Sequence, residues 1–167
     1  MGKVSIWAAK IENNLYLHEE KQVETNRWID IPPYAVQQNV LIQGHDNRVF
    51  LGWVESVILP EKDGFYKISG LSGGCGGRAV KYYMIIPFPF EDNKGWTFTA
   101  EEDRGPTPKK GKPYLVTVET LEHGKTTYKL ATAYYDPQKY RDWIGYDFRD
   151  GTRSIIAWRD FPRPKMK

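Results

Sequence analysis

The chain has 167 residues, enough for one compact domain or two small ones. Hydrophobic residues make up 40% and charged residues 27%, a balance that supports a packed core and excludes disorder as the default. The formal net charge of +3 is far from that of a dedicated nucleic-acid coat and equally far from that of an acidic nucleic-acid mimic.

Aromatic residues reach 14%. That favours a β-rich protein with aromatic cross-strand pairs, and leaves spare aromatics for a binding face. A single cysteine, Cys75, excludes an internal disulfide framework and a cysteine zinc cluster. The opening MGKVSIWAAK lacks an apolar signal core, and no apolar run approaches membrane-spanning length. Ile6 stands where a myristoylation signal requires Ser or Thr. The expected location is a reducing cytoplasm.

In chain order, Val4 to Lys21 reads as a β-hairpin. VSIWAAKI is one strand, Asn13-Asn14 the turn and LYLHEEK the return. Asn tolerates the positive φ that tight hairpin turns need. Trp28 follows, with prolines after it. Asn39 to Val57 reads as a second strand pair around a polar turn. Gly70 to Arg78, GLSGGCGGR, is the most flexible composition in the chain.

Directly after it comes AVKYYMIIPFPFE, Ala79 to Glu91. Val80, Tyr82, Met84 and Ile86 are expected on one face of a strand, and Lys81, Tyr83 and Ile85 on the other. Pro87 and Pro89 cannot donate to a ladder and end it.

Asn93 to Pro113 is rich in Pro, Gly and charge and reads as a long loop or linker. Tyr114 to Tyr135 reads as another strand pair. Asp136 to Ile144 has room for one helical turn, with Asp136 as N-cap and Pro137 at the first helical position. Arg153 to Lys165 then repeats the organisation of Ala79 to Glu91, an apolar strand that ends on Pro162 and Pro164. Trp28 and Trp96 each precede a strand pair and a proline-ended strand. The pattern predicts an internal duplication. The expected fold is all-β, an N-terminal hairpin module plus two related strand-rich units with little helix. The expected division is 1–92, hairpin and first unit; 93–113, linker or long loop; and 114–167, second unit.

Two stretches resemble known patterns. WAAKIENNLYLHEEKQVETNRWIDIP resembles an N-terminal module of phage and prophage proteins of unknown function, with Asn13-Asn14 where that pattern often carries glycine. The second half resembles a related phage domain of unknown function through Gly111-Lys112-Pro113, Ala133-Tyr134-Tyr135, and the ending Ile155, Trp158, Pro162 and Pro164. The resemblance implies a phage origin and an all-β fold, and implies no reaction.

Nucleophilic catalysis needs a Ser or Cys with a His and an orienting acid. His18, His45 and His123 fall in or beside expected turns, and none belongs to a metal-ligand or catalytic motif. Glu101-Glu102-Asp103 sits in the expected linker. The sequence therefore points away from an enzyme and implies no cofactor or metal.

Binding chemistry concentrates after Gly70. Ser72, Gly73, Gly74, Gly76 and Gly77 suit an anion-cradling main-chain nest. Arg78 adds a planar fork for phosphate, and Tyr82 and Tyr83 offer rings for a base. No Gly-Lys-Ser/Thr follows, so nucleotide hydrolysis is not implied. The expected function is non-catalytic counter-defence by a phage protein that sequesters a small phosphorylated ligand, such as a cyclic nucleotide immune signal. The alternative is an inhibitor that binds a host defence protein such as a CRISPR effector. A homo-oligomer is expected in either case.

Overall fold

A computed structural model describes residues 2–13, 15–29, 39–44, 46–56, 67–70, 80–100, 106–139, 142–145 and 152–166. The fold is all-β, with twelve strands in three sheets and no α-helix among the described residues. The chain divides into two compact units, residues 1–87 with 163–167, and residues 88–162.

The first unit opens with β1 (Lys3–Glu12) and β2 (Leu15–Glu24), a two-stranded sheet. Glu12 is opposite Leu15, which leaves a two-residue turn, and Asn13 takes φ 51° there. Val4 and Val23, at the far end of this hairpin, pack with Ile29 against buried Ile85. The Thr25 amide and hydroxyl both donate to the Gly2 carbonyl and close that end.

The first five-stranded sheet holds β3 (Trp28–Ile29), β4 (Asn39–Gly44), β5 (Val49–Ser56), β6 (Lys67–Gly70) and β7 (Val80–Ile85), in the order β3-β7-β4-β5-β6. The second unit holds β8 (Thr97–Phe98), β9 (Pro113–Glu122), β10 (Lys125–Tyr135), β11 (Trp143–Ile144) and β12 (Arg153–Arg159). Its order is β8-β12-β9-β10-β11. Numbered within each unit, the two orders are the same: first, fifth, second, third, fourth.

The register carries the match to single residues. β7 has one extra residue, Lys81, where Gln43 faces Tyr82 and Gly44 faces Val80. β12 has one extra residue, Ile156, where Thr117 faces Ala157 and Val118 faces Ile155. These are β-bulges at the same place in the same pair. They align Gln43 with Thr117, Tyr82 with Ala157, Met84 with Arg159, and Pro87 with Pro162. Trp28 faces Met84. Thr97 faces Trp158, so Trp96 stands one step on, level with Arg159, and matches Trp28. The units also change over at matched places, after Pro87 and after Pro162. The fold thus repeats as expected, with Pro87 and Pro162 following matched strands.

Each five-stranded sheet buries both faces near its centre. In the second unit Tyr114, Val116, Val118, Ala131, Ala133, Trp143, Ile155 and Trp158 form one cluster. Tyr114 meets Trp158 edge-on at 5.0 Å and Trp143 at 5.9 Å, the geometry that aromatic quadrupoles favour. Leu115, Thr117 and Leu130, fully buried, belong to the opposite face. A strand buried on both faces must be apolar at consecutive positions, and Leu115-Val116-Thr117-Val118 is nearly so. In the first unit Val40, Ile42 and Tyr83 form the corresponding first face, with Ile29 and Phe50 against them. Leu41, Gln43, Leu51 and Met84 are buried on the second.

Two expectations change. The bulge at Lys81 shifts the alternation of β7, so strict alternation across Val80 to Ile86 does not hold. His18 lies inside β2 opposite Ala9, away from the turn. Residues 93–113 fall within the second unit and carry the two-residue β8, with Trp96, 8% exposed, beside it. At Asp136 the side chain accepts from the Gln138 amide, as an N-cap would, the Lys139 amide donates to the Asp136 carbonyl, and Asp142 lies in a 3-10 turn just before β11.

Candidate functional site

The most elaborated polar arrangement lies on the second face of the first sheet. β3 supplies Trp28, β4 supplies Gln43 and β7 supplies Tyr82. Gln43 interrupts an otherwise apolar run, Val40-Leu41-Ile42, and its side chain is fully buried. A buried primary amide needs both donors and acceptors. It finds them in the segment that follows β12. The Gln43 Nε2 donates to the Lys165 carbonyl and to Asn47 Oδ1, each at 3.1 Å. The Lys165 amide donates to Gln43 Oε1 at 2.6 Å. Trp28 Nε1 donates to the Arg163 carbonyl at 2.9 Å. The Lys165 ammonium lies 4.4 Å from the Tyr82 ring centroid, within cation–π range.

The Asn47 turn sits at the same end of the sheet. Asn47 has φ 61°, its amide bonds the Gly44 carbonyl, and the Arg48 amide takes Asp46 Oδ1. Arg48 also pairs with Asp46 at 3.2 Å on an exposed edge.

Of the residues singled out in the sequence, Ser72, Gly73, Gly74, Gly76, Gly77 and Arg78 lie outside the described residues, as does Cys75. The described residues flanking them are Gly70, opposite Gly52 on β5, and Val80, opposite Gly44 on β4. Tyr82 is half-buried under Lys165. Tyr83 is 4% exposed in the first-face cluster, so its ring is committed to packing. Sequence reasoning did not find Gln43 or Lys165 as partners. The only local signal was an amide side chain inside a strand of Val, Leu and Ile.

The matched face of the second unit differs. Trp96 Nε1 and Thr117 Oγ1, at the places of Trp28 and Gln43, are buried and have no hydrogen-bond partner among the described residues. Arg159 stands at the place of Met84, 5.5 Å over the Trp96 ring. Burial pushes its guanidinium below the ordinary arginine range, against the opposing pull of Asp92. Phe88 and Phe90, at the places of Arg163 and Lys165, stack at 5.2 Å, and Phe90 tilts onto Tyr128 at 4.9 Å. Phe90 is 57% exposed and Tyr128 41%.

Among the described residues no group of His, Cys, Asp and Glu could hold a metal ion, and no helix is long and apolar enough to cross a membrane. Glu101-Glu102-Asp103 and His45 lie outside the described residues, and His123 is in an exposed turn with φ 51°. Comparison with protein-family models, with curated proteins and with solved structures returns no match to the chain.

Proposed function

We propose that this is a non-catalytic, phage-encoded binding protein. It sequesters a small phosphorylated ligand, such as a cyclic nucleotide immune signal, in the cytoplasm of an infected bacterium. The single observation that carries the reading is the Tyr82 ring with the Lys165 ammonium 4.4 Å away, at the start of the strand that follows Ser72–Arg78. An aromatic plane suits a base, and a cation beside it suits a phosphate. The glycines of the preceding segment free its amides for an anion, and Arg78 provides the bidentate fork.

The test is a thermal-shift panel of cyclic and linear nucleotides, followed by calorimetry on the best ligand. Arg78→Ala should weaken binding about tenfold to a hundredfold, the value of roughly 1.5–3 kcal/mol for a charged hydrogen bond. If no nucleotide raises the melting temperature of the wild type, the ligand reading fails. If one binds and Arg78→Ala binds it equally, the site is wrong.

A second reading, an inhibitor of a host defence protein such as a CRISPR effector, is favoured by one observation. Phe90 and Tyr128 form an exposed aromatic pair, the residue class that dominates protein interfaces. Pull-down from infected cells with Phe90→Ala as control separates the two readings. A homo-oligomer, checked by sedimentation, belongs to both.

A further inference from the structure

We infer that the face built by Trp28, Gln43 and Tyr82 is a receptor site for an extended, proline-containing basic peptide, and that this chain's own Arg163–Lys165 segment fills it in cis. The proposal goes beyond the small-ligand reading: it uses no residue between Ser72 and Arg78, and it takes Lys165 as the occupant of the Tyr82 ring rather than as part of the site.

Three observations carry it. The first is what is being read. Three of the four contacts go to main-chain groups of the segment: the Arg163 carbonyl, the Lys165 amide and the Lys165 carbonyl. The Gln43 amide grips Lys165 from both sides, as a neighbouring strand would. Such contacts accept any sequence that presents the same main-chain geometry.

The second is the geometry of the occupant. Each proline holds φ near −65°, and each residue before a proline is pushed to extended backbone. Phe161-Pro162-Arg163-Pro164 is therefore confined to extended or polyproline-type conformations before it docks. Prolines also lack the N–H, so the carbonyls stand open to a donor. Recognition of such segments by an aromatic-lined face is a recurring mode, and it gains from the low entropy of the stiff ligand. Here the aromatics are Trp28, which donates through its indole, and Tyr82, which faces the ammonium of the last residue gripped.

The third is the second unit. The groups at the same two places, Trp96 Nε1 and Thr117 Oγ1, are buried with no hydrogen-bond partner among the described residues. Matched positions are therefore polar in both copies, and only the first copy has its polar groups occupied by a peptide. The seat is a property of the repeat, and the occupant a separate element. From the occupant, the peptide chemistry is Pro-x-Pro-Lys, with the lysine on Tyr82 and the residue between the prolines giving its carbonyl to Trp28.

A tethered segment acts at an effective concentration of roughly millimolar. A free peptide at micromolar concentration therefore competes poorly with the wild-type chain. The experiment opens the seat in the full-length protein with the double variant Pro164→Gly/Lys165→Pro, which loosens the segment and deletes the amide that Gln43 accepts. The probe is a fluorescein-labelled synthetic peptide spanning residues 161–166, followed by anisotropy. The opened variant should bind at least about tenfold more tightly than the wild type. Adding Gln43→Leu or Trp28→Phe should each weaken that binding by about tenfold, the loss of one to two hydrogen bonds. Equal binding by wild-type and opened chains, binding indifferent to both Gln43→Leu and Trp28→Phe, or no binding up to millimolar peptide overturns the proposal. If the opened variant loses its near-ultraviolet circular dichroism, the wild type answers the same question. Unlabelled peptide at several millimolar should speed hydrogen exchange of residues 163–166 by displacing them, and unchanged exchange overturns the proposal.

Discussion

The two units share strand order, bulge position and a tryptophan before the fifth strand's edge partner, yet differ at the two places where polarity is buried. Gln43 in the first unit bonds Lys165 and Asn47, and Trp28 bonds Arg163. Thr117 and Trp96 in the second unit hold a hydroxyl and an indole N–H without partners among the described residues. A buried polar group left unpaired costs about 1–3 kcal/mol, whereas a paired one contributes about 0.5–1.5 kcal/mol. Identical topology therefore does not give identical energetics. The repeat sets where a side chain stands, and the segment laid over the sheet decides whether its polarity stabilises or destabilises.

The largest effect tests whether the shared topology is also shared packing. Leu41 and Leu115 are matched, each two positions before the bulge-facing Gln43 or Thr117, and both fully buried. Leu41→Ala and Leu115→Ala should each cost about 2–5 kcal/mol in urea denaturation. A loss within about 0.5 kcal/mol at only one of them, the size of a surface substitution, would break the match.

The next pair should move in opposite directions. Gln43→Leu removes bonds to Lys165 and Asn47 and should destabilise the chain by about 1–3 kcal/mol. Thr117→Val removes an unpaired hydroxyl at nearly constant volume and should raise stability by about 1 kcal/mol. The same denaturation series decides. Two losses of similar size would mean that Thr117 contributes a bond after all.

The smallest effect compares two half-buried carboxylates. In the first unit the Arg27 side chain, 2.8 Å from Glu24, is the main cause that holds the Glu24 carboxyl below its ordinary range. In the second unit Asp136 is held low first by the Gln138 main-chain amide and then by Lys110. Both folded-state values are depressed. Their stabilising contribution is therefore present above the ordinary carboxylate range and lost as pH falls through the depressed values. By carboxyl NMR titration, Arg27→Ala should return Glu24 toward its ordinary value, while Lys110→Ala should leave Asp136 depressed. A full return of Asp136 would put the side chain ahead of the amide.

Much of this fold was legible in the chain. Apolar runs at Asn39–Gly44, Val80–Ile85, Tyr114–Val118 and Arg153–Arg159 are strands, and the proline endings and the two early tryptophans gave away the repeat. The short strands were not legible. Trp28–Ile29, Thr97–Phe98 and Trp143–Ile144 are two residues each, below the length at which alternation shows, and their pairing depends on partners far along the chain, such as Met84 for Trp28 and Trp158 for Thr97, or on a bend after a longer strand. The bulges were equally silent, since one extra residue leaves no mark on composition. At the candidate site, Tyr82 was readable because it follows a glycine-rich segment. Gln43 was not, because its partner Lys165 is 122 positions away and nothing local distinguishes a gripped amide from a solvated one.

The short strands have one more consequence, for assembly in a crowded solution. The outermost strands of the two larger sheets are β3, β6, β8 and β11, none longer than four residues. An exposed strand edge is a template for a neighbouring chain, and its hazard grows with its length. β9 is flanked along most of its length by β10 and β12, but β10 meets β11 only at Tyr134 and Tyr135, so its outer edge from Lys125 to Ala133 has no partner strand among the described residues. The hairpin β1–β2, with ten-residue strands joined to no other strand among the described residues, is a second open edge. Both stretches carry charge, Lys125 and Lys129 on β10 and Lys3, Glu19, Glu20, Lys21 and Glu24 on the hairpin. Charged side chains on an open edge discourage another chain from continuing the ladder.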